Sequence, residues 1–177
     1  INIENGIAAM ALAQINGADK EEIKAAMASF RGVDRRFDFK IKNEKVVFLS
    51  DYAHHPEEIR QSILSMRALY EDKKLTAIFQ PHLFTRTRDF YQEFADSLSL
   101  LDEVILTDIY PARELPIEGV SSQLIYDQLR PGIEKTLCKK EEILEIIKQK
   151  NIEVLITLGA GDIENYVQPI CEILNGK

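Results

Sequence analysis

Histidine, aspartate and arginine supply most of the proton-transfer and anion-binding chemistry near neutral pH, and here they gather in a few short segments. The chain holds three histidines in 177 residues, all within two such segments. The first is Asp51-Tyr52-Ala53-His54-His55-Pro56, after Val46-Val47-Phe48-Leu49 and Ser50. The second is Gln80-Pro81-His82-Leu83-Phe84-Thr85-Arg86-Thr87-Arg88, directly after Leu75-Thr76-Ala77-Ile78-Phe79. Imidazole can donate, accept or bind metal. An acid at a strand end, such as Asp51, can accept a ribose hydroxyl. Adjacent side chains such as His54 and His55 diverge, so at most one of them faces a given ligand. Arg86 and Arg88 can clamp a carboxylate or phosphate. The competing reading is that Thr85 or Thr87 caps a helix while the arginines pair with Asp89 or Glu93.

Three further segments carry weaker signals. Gly159-Ala160-Gly161-Asp162-Ile163 follows an apolar run and opens a helix. It serves either as an anion cradle of free N–H groups or as a tight strand-to-helix turn. It is no dinucleotide fingerprint, because Glu164 stands at the third glycine position. Tyr110 to Gly119 is the longest irregular stretch, and reads as a structured connector or a lid. Asn2 and Asn5 lie three apart and share a helix face. There is no phosphate loop, nucleophile elbow or zinc spacing.

The elements that must position these residues follow from periodicity. Helical spacing covers 3–16, closed by Asn16-Gly17, and a second helix runs from an Asp19 cap with Glu22 in a capping box to about Phe30. Arg31 to Arg36 reads as a charged linker. Alternation over 37–41 and a polar turn at 42–45 predict a hairpin into a strand at 46–50. Strands are then predicted at 75–79, 103–108 and 153–158, with a short one near 134–138. Helices are predicted at about 57–71, 87–100, 121–130, 140–150 and 162–174. Apolar strands alternating with helices imply an α/β fold, a mostly parallel sheet with helices on both sides. In such sheets ligands bind at the strands' carboxyl ends, where both histidine segments fall.

Bulk properties narrow the function further. The net charge of -7 disfavours nucleic acid as a partner. No apolar run approaches the roughly 20 residues that span a membrane. The two cysteines, Cys138 and Cys171, lack metal spacing and read as buried thiols in a reducing compartment. The start, Ile1-Asn2-Ile3-Glu4-Asn5, is unlike a signal peptide and lacks an initiator Met, which points to a longer parent chain.

Taken together, the motifs resemble the Mur ligase family. The matching pieces, in order, are Asn2-x-x-Asn5-Gly6-x-Ala8-Ala9, Gly32-x-x-Arg35-Arg36-Phe37, Asp51-Tyr52-Ala53-His54-His55-Pro56, Phe79-Gln80-Pro81-His82-x-x-Thr85-Arg86-Thr87-Arg88-Asp89, Tyr110-Pro111-Ala112-x-Glu114-x-Pro116-Ile117-x-Gly119 and Gly159-Ala160-Gly161-Asp162-Ile163. The resemblance implies that residues 1–31 are the last helices of a central ATP-binding domain. It implies that residues 32–177 are a C-terminal, Rossmann-like three-layer ligase domain with a mostly parallel sheet. It further implies a cytoplasmic bacterial enzyme that joins L-alanine to the lactyl carboxylate of UDP-N-acetylmuramate. ATP would go to ADP through an acyl phosphate. Magnesium would be held mainly by the central domain, and this piece alone would be inactive.

By position, the resemblance places Asn2, Asn5, Arg36 and Asp51 at the nucleotide, and His82 and Arg86 at the amino-acid carboxylate. It gives Arg36, His54 and His55 catalytic parts. His54 and His55 would line one crevice with Asp51, on the nucleotide side. Ser50 and Leu83 depart from the family pattern, so Arg86 must do more at the carboxylate or Arg113 must help. Two alternatives stand beside this reading. One is the related ligase that attaches recycled murein peptide to the same sugar nucleotide; it shares the Asp51–Pro56 pattern but not the Gln80–Arg88 one. The other is a non-catalytic α/β ligand-binding module.

Overall fold

The computed structural model describes residues 2–176, and side chains from residue 3 onward. The chain divides into two compact units between residues 32 and 33. The first holds α1 (Asn2–Ile15) and α2 (Lys20–Ser29). Gly17, at φ 93°, ends α1 in the left-handed region that glycine tolerates. Asp19 Oδ1 accepts from the Glu21 and Glu22 amides while Glu22 Oε2 accepts from the Asp19 amide, so the predicted capping box forms. Ile3, Ile7, Leu12, Ile15, Met27 and Phe30 are exposed, and α2 buries no residue. The pair of helices therefore has no core of its own, as expected for elements this short.

The second unit is a six-stranded sheet in the order β1-β2-β6-β3-β4-β5. Its strands are β1 (Asp38–Lys42), β2 (Val47–Asp51), β3 (Leu75–Phe79), β4 (Glu103–Leu106), β5 (Glu134–Leu137) and β6 (Val154–Leu158). Only β1 runs antiparallel, paired with β2 through a bulge between Phe39 and Ile41. The turn between them is held by Asn43 Oδ1, which accepts the Lys45 and Val46 amides. Its helices are α3 (Pro56–Leu69), α4 (Phe84–Leu98), α5 (Gln123–Gln128), α6 (Ile143–Gln149) and α7 (Val167–Asn175).

Residue parity along the strands builds two cores. Val47 and Leu49 of β2, Ala77 and Phe79 of β3, Val104 and Leu106 of β4, and Ile156 of β6 all enter one cluster. Helices α3, α4 and α5 cover it with Ile59, Ile63, Met66, Phe94, Leu98 and Ile125. The intervening residues Phe48, Ile78, Ile105 and Leu155 enter the other cluster, covered by Ile143, Ile147, Val167, Ile170 and Leu174 of α6 and α7. Strands buried on both faces are near-continuously apolar for this reason. Each such large side chain contributes roughly 1.5–3 kcal/mol on burial.

Several predicted bounds shift for local reasons. α4 begins at Phe84 rather than 87, with Thr87 buried inside it and its Oγ1 donating to the Leu83 carbonyl at 2.9 Å. The 140–150 and 162–174 helices each open with a 3₁₀ segment, Lys140–Glu142 and Asp162–Tyr166. The third predicted strand ends at Leu106 rather than 108.

β6 enters last in sequence but lies between β2 and β3. The connection after β2 leads to α3 on one face, and that after β6 leads to α7 on the other. The loops therefore part around β6, and a crevice opens at its carboxyl end. The loops that carry His54 and His82 flank this point.

Candidate functional site

Three loops meet at the crevice: 52–55 after β2, 80–83 after β3 and 159–161 after β6. In the first, His54 Nδ1 lies 2.9 Å from the Tyr52 carbonyl. An Nδ1 that donates there must carry a proton, and in the neutral ring the lone pair then lies on Nε2. The Glu58 carboxylate accepts the His54 amide at 3.0 Å and the His55 amide at 3.1 Å, fixing the loop against the start of α3. Burial would raise the Glu58 pKa, but its bonds to His54 and His55 hold it below the ordinary value.

In the second loop, His82 is set by backbone pairing. The Tyr110 amide donates to the Pro81 carbonyl at 2.8 Å and the Leu83 amide to the Tyr110 carbonyl at 2.9 Å. The His82 and Tyr110 rings stack with centroids 5.6 Å apart. Leu83 takes φ 72°, a strained value for a non-glycine residue. Burial, then the charges of Arg86 and His54, lower the His82 pKa. His82 Nδ1 and Arg86 Nη1 are both buried without a hydrogen-bond partner. These two groups, four residues apart at the head of α4, leave hydrogen-bonding capacity unfilled.

In the third loop, space decides the sequence. A Cβ on Gly159 would lie 2.8 Å from the Gln80 carbonyl oxygen, and its φ is 141°. A Cβ on Gly161 would lie 2.4 Å from Gln80 Oε1 and 2.7 Å from Tyr110 Cβ. These glycines permit close packing, so the tight-turn reading fits them better than the anion cradle. Gln80 completes the turn, with Oε1 accepting the Ile163 amide at 2.9 Å and Nε2 donating to Asp162 Oδ1 at 2.6 Å. Asp162 also pairs with Lys140.

The structure redistributes the residues that sequence reasoning grouped. His54 and His82 come together, with centroids 6.0 Å apart. His55 does not join them: its ring lies 5.2 Å from Phe90 and lines a separate hollow of about 500 Å³ with Arg60 and Glu93. The expectation that both adjacent histidines line one crevice is thus corrected, because consecutive side chains diverge where α3 starts. His54 also sits with His82 rather than apart from it on an Asp51 side. Asp51 Oδ1 accepts the Phe37 amide at 3.3 Å, and burial, against hydrogen bonds that include the Phe37 and Ala53 amides, raises its pKa. It holds the 33–37 strap, a task its sequence position did not reveal.

The arginine pair also divides. Arg88 forms an exposed ion pair with Asp89, so it does not share a clamp with Arg86. Thr85 is no cap; its amide and hydroxyl both donate to Glu114. That bond pins the Tyr110–Gly119 stretch to α4, which favours a structured connector over a lid. Arg113 is exposed on this connector. Arg36 is exposed, 6.0 Å from the Tyr52 ring centroid, with no ion pair among the described residues. In the first unit Asn5 is exposed on α1, Gly6 packs beneath Met27, and the Asn2 side chain lies outside the described residues. Sequence reasoning gave no site task to Tyr52, Glu58, Tyr110, Glu114 or Glu164. Tyr52, Tyr110 and Glu114 stood out only as members of motifs, while Glu58 read as a helix-start acid and Glu164 lay outside the motifs. Among the described residues no three acidic, histidine or cysteine side chains form a metal-sized group.

A three-layer α/β domain with a mostly parallel sheet, and with His54, His82 and Arg86 near its switch point, defines a Rossmann-like fold. The chain belongs to the Mur ligase family: the family's glutamate ligase domain matches residues 35–162. It is 80% identical over 177 residues to the UDP-N-acetylmuramate–L-alanine ligase of Phocaeicola vulgatus, covering all of this chain and 39% of that protein. The ligase of the same name from Parabacteroides distasonis is 58% identical over 175 residues, covering 98% of this chain and 37% of that protein. The chain thus spans under half the length of these relatives. The crystal structure of the UDP-N-acetylmuramate–alanine ligase of Thermotoga maritima superposes with a TM-score of 0.79 at 30% identity, covering 99% of this chain and 38% of that one. A murein peptide ligase from Psychrobacter arcticus shares the fold, with a TM-score of 0.70 at 20% identity.

Proposed function

We propose that this chain is the C-terminal part of an ATP-dependent ligase that joins L-alanine to UDP-N-acetylmuramate in the bacterial cytoplasm. Residues 33–177 form its amino-acid-receiving domain, and α1 and α2 close its central nucleotide domain, which would carry the phosphate loop and the magnesium ligands. The observation that carries this reading is the paired orphan groups, His82 Nδ1 and Arg86 Nη1, beside His54 at the switch point. They suit a small zwitterion. Its carboxylate would satisfy the Arg86 guanidinium, and its amine would face His54. His54, with Nδ1 committed to the Tyr52 carbonyl, has an Nε2 lone pair able to take the ammonium proton and free the nucleophile.

Arg36 would meet the phosphate, offsetting the repulsion between an acyl phosphate and the incoming carboxylate. Asn5 and Asn2 would lie on the nucleotide side. Asp51 acts through the strap that carries Arg36 rather than by touching ribose. His55 takes no catalytic part.

Steady-state assay of the full-length enzyme tests this. ADP release is expected to require UDP-N-acetylmuramate and L-alanine together. Release supported by a murein peptide in place of alanine would assign the related recycling ligase instead.

A further inference from the structure

Arg36 is exposed, yet the backbone on both sides of it is unusually constrained. Arg35 has φ 64° and Phe37 φ 50°. Left-handed non-glycine residues each cost on the order of 1 kcal/mol or more, and persist only where neighbours hold them. The holders here are all present. The Tyr52 amide donates to the Arg35 carbonyl at 2.6 Å, the Arg36 amide to the Val33 carbonyl at 3.1 Å, and the Phe37 amide to Asp51 at 3.3 Å. The Arg35 amide donates to Asp38 at 3.3 Å.

The Arg35 side chain adds a tertiary tie. Its guanidinium lies 4.7 Å from the Tyr52 ring centroid, and its Nε stands 3.0 Å from Glu164 Oε2, an ion pair set by charge and proximity because the buried Nε and Nη2 have no aligned hydrogen bond. Glu164 sits on the 3₁₀ segment after β6, so this contact joins the strap to the loop that borders the crevice. Arg35 occupies the near side of Tyr52, and Arg36 stands farther off at 6.0 Å. Two cations lie within 6.0 Å of one ring centroid, and among the described residues only Arg35 is paired with a carboxylate.

We propose that Glu164, Arg35 and Tyr52 form a latch that sets the direction in which Arg36 is presented to the phosphate. Arg35 and Glu164 are then positioning residues, acting through Arg36. Glu164 also neutralises Arg35, so that Arg36 alone offers its charge to the anion. This rests on the reading of Arg36 as the phosphate contact.

The test uses the full-length enzyme with Arg36→Ala, Glu164→Gln and the double variant. Glu164→Gln is expected to reduce kcat/KM for ATP about tenfold while leaving the alanine KM within about twofold, the scale of effect that follows from misplacing a positioned group. In the Arg36→Ala background the same change is expected to add almost nothing, since coupled residues are non-additive. Arg35→Lys keeps the charge but loses the planar stack, and is expected to give the same pattern more weakly, which serves if Glu164→Gln fails to fold. Equal losses in both backgrounds, or no loss from Glu164→Gln, would overturn the latch. An Arg36→Ala enzyme with unchanged ATP kinetics would overturn the phosphate reading itself, and the latch with it.

Discussion

His54 and His55 show how one residue step separates two environments. Both amides bond to Glu58, but one ring turns to His82 and the other to Phe90. His82 is the more unusual group, because its surroundings favour the neutral form. Burial, then Arg86 and His54, hold its pKa below the ordinary 6.5. Between that lowered value and 6.5 the unfolded chain binds more protons than the folded one, so stability from this source is full above 6.5 and lost as pH falls through the folded value. The thermal midpoint of the wild-type chain is therefore expected to drop more than that of His82→Asn between about pH 7.5 and about pH 5. Parallel curves for the two proteins would show that His82 does not titrate in this way.

At the scale of elements, the strands were the most legible part. Val46–Leu49, Leu75–Phe79 and Val154–Leu158 are apolar runs bounded by polar residues, and burial on both faces leaves little choice of composition. Helix starts were less legible. Nothing in Leu83 announces a residue at φ 72°, since the Pro81–Tyr110–Leu83 pairing that imposes it is tertiary. The glycines of 159–161 were visible but their purpose was not. Gly161 has an ordinary φ of -92° and is needed for space, with Gln80 and Tyr110 against it. Gly161→Ala is thus expected to cost about 1–3 kcal/mol through overpacking. Gly132→Ala, at φ 93° with nothing within 4 Å, would pay only for its backbone. Thermal melts of the two variants compare these costs, and a smaller loss for Gly161→Ala would contradict the packing argument.

For the whole molecule, the α/β class and the family were readable because motifs spread along the chain agree with one another. The grouping of site residues was not, because it depends on β6 entering between β2 and β3 and on the direction each loop then takes. Asp51 and Arg88 illustrate the limit: both are charged and adjacent to site residues, yet one is tied to the Phe37 amide and the other to Asp89. The absence of a phosphate loop from this sequence leads to a simple expectation. The purified 177-residue chain should release no ADP from ATP with UDP-N-acetylmuramate and L-alanine present, and turnover above background would show that it carries a nucleotide site of its own.

The proposed role of the crevice beside β6 is to receive the amino acid through Arg86. It is tested most directly by the alanine and ATP KM values of the full-length enzyme with Arg86→Ala. Loss of a charge-assisted carboxylate contact is expected to raise the alanine KM by about tenfold or more, with the ATP KM within about twofold of wild type. An unchanged alanine KM, or an equal rise for ATP, would contradict the assignment.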